Sequence, residues 1–187
     1  MYLMKGFTLN ITNDLALLYP ELSMAQELFD LINSDREHIG KFLPFVDITK
    51  SVDDETNYLK MKLSGVANGT DFPCFITKSD RIIGTIDLHF INHDNKKAEI
   101  GYWLHSSYAR QGLTKLAVQT ICDYAFQNLG LNKLVIKADT ENIASNQVAQ
   151  SCGFRLVGVK KQDMLMRGEF RDMNVYEILK SEWEKKL

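Results

Sequence analysis

Apolar residues along this chain repeat with a two-residue period in some stretches and a helical period in others, and each switch marks an element. Phe7 to Ile11 and Leu15 to Tyr19 flank the polar Thr12-Asn13-Asp14 and predict two short strands around a turn. Ser23 stands where an N-cap would, with Gln26 three residues on to complete a capping box. Ala25, Leu28, Phe29 and Ile32 then follow at helical spacing. A second helix is predicted through Glu55 to Val66, with Tyr58, Leu59 and Leu63 on one side. Between the two helices lies the apolar loop segment Phe42-Leu43-Pro44-Phe45.

From Phe72 onward β-forming residues dominate. Cys74 to Thr77, Ile82 to Phe90 and Ala98 to Leu104 are separated by Ser79-Asp80 and by Asn92 to Asn95, which predicts an antiparallel meander. A long helix fits Gln111 to Leu129, with Leu113, Leu116, Ala117, Thr120, Ile121, Tyr124 and Ala125 on one face. Leu134 to Ala138 reads as a strand buried on both sides. A shorter helix from Ile143 to Ser151 ends at Gly153, a natural left-handed stop. Two last strands, Phe154 to Met166 and Phe170 to Leu179, turn at Arg167-Gly168. Strand and helix alternating after a meander imply an α/β fold of the α+β kind, a mixed sheet covered on both faces. A right-handed crossover through the long helix sets the strand ending at Leu104 parallel to the one at Leu134.

The 187 residues suit a single domain, 1–187, able to bury its core without a staple. A formal net charge of −2 argues against a dedicated nucleic-acid partner. No stretch has the length of a membrane span, and the first residues lack the pattern of a secretory signal. Cys74, Cys122 and Cys152 are scattered and odd in number, so reduced thiols in a cytoplasmic protein are expected. His38, His89, His93 and His105 share no metal-ligand spacing, and no metal is expected.

The informative stretch runs from Glu99 to Thr114, where a strand enters a short polar loop that opens directly onto the long helix. Unpaired N–H groups and the positive end of the helix there suit a phosphate or pyrophosphate. Gly112 permits a close backbone approach, and Arg110 supplies charge-assisted bonds; the same two residues equally serve simply to open a helix. Neither GxxxxGK[ST] nor GxGxxG occurs, which demotes nucleotide hydrolases and dinucleotide enzymes.

The order strand, phosphate loop, long helix, strand, Asn142-Ile143-Ala144-Ser145-Asn146, helix and Gly153-Phe154 resembles the GNAT acetyltransferase superfamily. Ala98 to Leu104, Phe42-Leu43-Pro44, Glu55-Thr56 with Tyr58-Leu59, and the closing Gly168, Asp172, Tyr176 and Leu179 resemble its branch of bacterial ribosomal-protein N-terminal acetyltransferases. The resemblance implies a GNAT-like, mostly antiparallel central sheet of about seven strands with helices on both faces. It implies acetyl-CoA as co-substrate and no metal. The family's phosphate loop, [Arg/Gln]-x-x-Gly-x-[Gly/Ala], falls on Ala109 to Thr114, so both of its ends depart from pattern. Backbone donors at Arg110, Gln111, Gly112 and Leu113 remain, and Thr114 adds a hydroxyl. Leu104 would pair its backbone with the pantetheine arm, and Asn142 would reach the cofactor through its side chain.

Acetyl transfer to an amine needs that amine neutral, and a terminal α-amine of pKa about 8 is largely protonated at neutral pH. Glu99 is the candidate base, sharing a strand face with Gly101 and Trp103; its apolar flanks would raise its pKa, and a structural ion pair is the alternative role. The resemblance implies Ser145 as the acid for the leaving thiolate; the alternative is only a first-turn residue of a helix that Asn142 caps. By the same resemblance Phe42 and Phe45 would wall the acceptor site; read as residues alone, they equally suit the core. The acceptor is expected to be a protein N-terminal α-amine such as that of a ribosomal protein. A small amine (polyamine, amino acid or aminosugar) is the alternative, and a non-catalytic CoA-binding module a further one. A homodimer is expected.

Overall fold

Strand pairing organises the whole molecule around one sheet, whose order in the computed structural model is β1-β2-β3-β4-β5-β6-β8-β7. The structure describes residues 7–186. The strands are β1 (Thr8–Asn10), β2 (Leu15–Leu18), β3 (Phe72–Lys78), β4 (Arg81–Asn92), β5 (Lys97–Leu104), β6 (Lys133–Asp139), β7 (Arg155–Met166) and β8 (Glu169–Leu179). That makes eight strands among the described residues, against about seven expected. Every neighbouring pair is antiparallel except β5 and β6, which run parallel as the crossover rule requires. Among the described residues no helix is long and apolar enough to cross a membrane.

The helices are α1 (Ala25–Ser34), α2 (Arg36–Gly40), α3 (Phe45–Ile48), α4 (Val52–Ala67), α5 (Leu113–Gln127), α6 (Ile143–Ser151) and α7 (Lys180–Trp183). On one face α1 and α4 pack Leu28, Ile32 and Leu59 against Phe75 and Ile82. On the other face α5 and α6 pack Ala117, Ile121, Ala125 and Ala149 against Ile86, Leu88, Ile100 and Ile136. The alternation along β5 divides the two cores: Ala98, Ile100, Tyr102 and Leu104 join the α5 side and Trp103 joins the α1 side.

Several local expectations are corrected. Ser23 does not cap α1: it lies inside a 3-10 turn, Leu22–Met24, and α1 follows with no side-chain cap. The capping box belongs to α4, where Ser51 and Asp54 satisfy each other's backbone N–H groups and start the helix before Glu55. The segment expected to be a loop through Phe45 contributes Phe45 to α3. The long helix begins at Leu113, with Gly112 as its left-handed N-cap. Strand β6 is not covered on both sides. Leu134, Ile136 and Ala138 are buried while Val135 and Lys137 are only partly so, because the core beneath α1 and α4 includes no residue of β6.

Asn146 pins α6 to the sheet. Its amide donates to the carbonyls of Asp139 and Asn142, both at 2.8 Å, and its oxygen accepts from Asn174 at 2.7 Å and the Tyr176 hydroxyl at 2.8 Å. All four partners lose a bond in Asn146→Ala, and a buried group left unsatisfied costs about 1–3 kcal/mol. The expected loss of unfolding free energy is at least about 2 kcal/mol, read from urea denaturation. A loss below about 0.5 kcal/mol would mean that water replaces the side chain without penalty.

Candidate active site

Strand β5 ends at Leu104 and the chain passes through a 3-10 turn, Ser106–Tyr108, before α5 begins. Arg110 and Gly112 both adopt positive φ, +61° and +74°. Among the described residues the N–H groups of Arg110, Gln111 and Gly112 find no intramolecular acceptor, and α5 adds the unpaired donors of its first turn. Nothing lies within 4 Å of where a Gly112 side chain would stand. Arg110, Gln111 and Gly112 are exposed, Leu113 is buried and Thr114 partly so. This loop is tied to the end of α1: the Asp35 carboxylate accepts from Ser106 N–H and its hydroxyl at 2.6 and 2.8 Å. His105 accepts the Ser107 N–H through Nδ1 at 3.1 Å, while its Nε2 lies 3.2 Å from the Ser34 hydroxyl. Asp35 and His105 thus set the shape of this loop.

Strands β5 and β6 share only three pairs, Lys97 with Lys133, Ala98 with Leu134 and Glu99 with Val135. Beyond Glu99 they part, although β5 stays paired to β4 as far as Leu104 with Gly84. The edge of Gly101 to Leu104 that faces β6 therefore offers free backbone groups to a ligand. The start of α6 lies beside this opening. Asn142 caps the helix, its oxygen accepting the Ser145 N–H at 3.1 Å. The Ser145 hydroxyl is 3.0 Å from that of Tyr102, which also donates to the Ser145 carbonyl at 3.2 Å. Burial pushes the Tyr102 phenol above its ordinary pKa, the bond to Ser145 opposing this in part.

On the opposite face of β5 lies a cleft of about 580 Å³, bounded by α1, α3, α4 and the sheet. Phe45 lines it, its ring 6.3 Å from that of Trp103, and the cleft reaches β5 at Gly101 and Tyr102. Phe42 is not among the lining residues; the neighbouring Leu43 is, and the Phe42 ring sits instead under the Lys41 ammonium at 5.3 Å. Glu99 opens into a second, smaller cleft of about 310 Å³ that also borders Gly101. Its immediate neighbours are polar rather than apolar: Lys137 Nζ at 3.1 Å and His89 at 4.0 Å. Glu99 and Ser145 thus flank β5 from opposite faces.

Sequence reasoning missed three groups here. Asp87 accepts from Lys62 at 2.6 Å and lies 3.4 Å from His89. Burial alone would raise its carboxyl, but His89 and Lys62 outweigh burial and hold it below the usual range. Glu55 is 2% exposed, and burial pushes its pKa up, partly offset by Thr49 and reinforced by Asp54. The signal for Glu55 was present in the sequence: it sits one turn ahead of Tyr58 and Leu59 on the inward face of α4. Arg167, at the tip of the β7–β8 hairpin, reaches Asp47 of α3 through two bonds of 2.9 Å. Among the described residues no group of three or more His, Cys, Asp or Glu could hold a metal ion.

Residues 14–155 match the family described as Acetyltransferase (GNAT) domain. The ribosomal-protein-serine acetyltransferase of Escherichia coli is 30% identical over 169 residues, 90% of this chain and 94% of that protein. The microcin self-immunity acetyltransferase MccE, solved in complex with acetyl-CoA and AMP, superposes with a TM-score of 0.87 at 28% identity, covering 95% of this chain and 97% of that one. An acetyltransferase from Salmonella typhimurium that modifies the N-terminal serine of a 50S ribosomal subunit protein gives 0.85 at 25% identity, covering 92% and 99%. With a parallel pair that parts beside an amide-lined helix start, and with most of its length matched, the chain belongs to the GNAT family of N-acetyltransferases.

Proposed function

We propose that this protein transfers acetyl from acetyl-CoA to a primary amine by direct attack, the amine being the N-terminal α-amine of a protein such as a ribosomal protein. The observation that carries this reading is the parting of β5 from β6 beside the unpaired amides of Arg110 to Gly112. Those residues fit the cofactor: the loop takes its phosphates with Leu113 and Thr114 opening the helix behind it, and the free edge at Leu104 takes the pantetheine arm as an added strand. Asn142 stands at the mouth of α6, close to the same arm. The co-substrate supplies an activated acyl thioester; everything else is done by side chains of this chain.

The acceptor enters from the α1–α4 side, along Phe45 and Trp103, and meets the thioester where the cleft reaches Gly101 and Tyr102. Glu99 receives the amine's proton through a water, its carboxylate oriented by Lys137. Ser145 holds a proton at Oγ where the departing thiolate needs one, and the Tyr102 hydroxyl, kept protonated by burial, holds the Ser145 hydroxyl in position. A small amine is the second reading, favoured by the aromatic walls of the cleft. The enzyme works in the cytoplasm, in keeping with three buried thiols outside any disulfide. It works as a homodimer through the edge strand β7 and its hairpin partner, where Leu156, Val157, Val159, Leu165 and Phe170 are exposed. A sedimentation mass of one chain at micromolar concentration would remove the dimer.

Thiol release from acetyl-CoA with a panel of N-terminal peptides, polyamines, amino acids and aminosugars tests the reaction itself. Gly112→Val should weaken CoA binding about tenfold or more by calorimetry, since a branched side chain at positive φ strains the loop and stands in the open space through which the cofactor approaches the backbone. Unchanged affinity in the folded variant would take the loop out of the site. Glu99→Gln should lower turnover about 10²–10⁴-fold near neutrality with acetyl-CoA KM unaltered, and should recover partly at alkaline pH as the amine loses its proton unaided. Normal turnover between about pH 6 and 9 would reduce Glu99 to the partner of Lys137. Ser145→Ala should depress kcat more than either KM, and Tyr102→Phe less; equal losses in both KM values would make Ser145 a binding residue only.

A further inference from the structure

Glu55 is an anomaly in the acceptor cleft. It is 2% exposed, and its Oε2 is the one buried side-chain oxygen or nitrogen among the described residues that finds no hydrogen-bond partner. Its Oε1 has only the Thr49 hydroxyl, at 3.2 Å, and that hydroxyl also lies 3.1 Å from the Phe45 carbonyl. One hydroxyl proton cannot serve both acceptors. A buried carboxyl left this poorly satisfied costs stability, and such groups persist where a ligand completes them.

The surroundings say what kind of ligand. Asp54 and Asp87 line the same cleft, but both are already engaged. Asp54 accepts from the Lys50 and Ser51 N–H groups at 2.9 Å each, and Asp87 from Lys62. No lysine, arginine or histidine is among the lining residues, whereas Phe45, Tyr58 and Trp103 present aromatic rings. Acidic groups with aromatic walls and no resident cation suit a positively charged group, which the carboxylate binds by charge-assisted hydrogen bonds and the rings by their faces.

We propose that Glu55 is the specificity-determining residue of the acceptor cleft and binds a second, cationic group of the acceptor, beyond the amine that is acetylated. This rests on the reading of the cleft as the acceptor site. The cationic group has two sources, the side chain following a peptide's N-terminal residue or the far end of a diamine. Either places one amine at the parting of β5 and β6 and the other charge against α4.

The test is calorimetric binding to the CoA-loaded protein, which needs no turnover. One arm compares 1,6-diaminohexane with 6-aminohexan-1-ol, and the other compares the tripeptides Ser-Lys-Ala and Ser-Ala-Ala. In at least one arm the cationic member should bind about tenfold tighter or more, and the arm in which it does identifies the source. In Glu55→Gln, and in Glu55→Leu, that advantage should fall below about threefold, with CoA affinity kept and the melting temperature equal or higher. An advantage that survives in both variants, or its absence from both arms in the wild type, overturns the proposal. A cationic preference in a protein that releases no thiol from acetyl-CoA would instead sink the transfer reading and leave the role of Glu55 standing.

Discussion

Everything functional in this molecule depends on two parallel strands that stay paired for three residues and then separate. Each keeps its outer partner. Strand β5 holds β4 as far as Leu104, and β6 holds β8 through Asp139 with Met173, so the split cannot be repaired by moving either strand. Backbone donors and acceptors along the split edges are left wanting partners, which a protein interior rarely tolerates. Because the chain leaves β5 at Leu104 and enters α5 within nine residues, the strand that exposes this edge also fixes where the helix presents its amides. One feature of the topology thereby brings an unpaired strand edge and a helix N-terminus together.

Local periodicity made the frame legible and long-range pairing hid the rest. The meander of β3, β4 and β5 followed from turn residues and β-formers, and α6 ended where Gly153 takes φ +83°. Helices of four or five residues such as α2 and α3 carry too few turns to print a period. Alternation placed Glu99 correctly opposite Ile100, but its partner Lys137 comes from a strand reached only after the crossover. The ties of Asp35 to Ser106 and of Arg167 to Asp47 span 71 and 120 residues, and no window of sequence encodes them. Positions 109 to 114 stood out as a candidate site because strand, loop and helix are contiguous; the spacing that sets Glu55 one turn ahead of Tyr58 and Leu59 was in the sequence too, but a carboxylate on an amphipathic helix reads first as solvent-facing charge.

The residue between the two clefts is constrained from the side. Lys62 joins Asp71 and Asp87, Asp87 lies against His89, and His89 faces Glu99, which meets Lys137. A row of ionisable side chains thus runs across the sheet at the level of Gly101. A side chain there would put its Cβ 2.9 Å from Asp87 Oδ1 and 3.0 Å from the His89 ring, so the row keeps its present arrangement over β5 because this position is glycine. The glycine is needed for the width of the polar row and not for any turn.

The pair between Arg167 and Asp47 has an exposure unlike the other contacts around the clefts: about half of each side chain meets solvent. Its charges hold Asp47 below and Arg167 above their usual pKa, yet dissolved ions screen such a pair readily. Asp47 belongs to the single turn of helix that carries Phe45 and Ile48 into the wall of the larger cleft. The loop ahead of α5 is instead braced by Asp35, whose side chain is only 11% exposed. Ionic strength therefore acts unevenly on the two regions, loosening the α3 wall of the larger cleft while the loop ahead of α5 keeps its shape, so a change of salt reaches the two sides of β5 with different force.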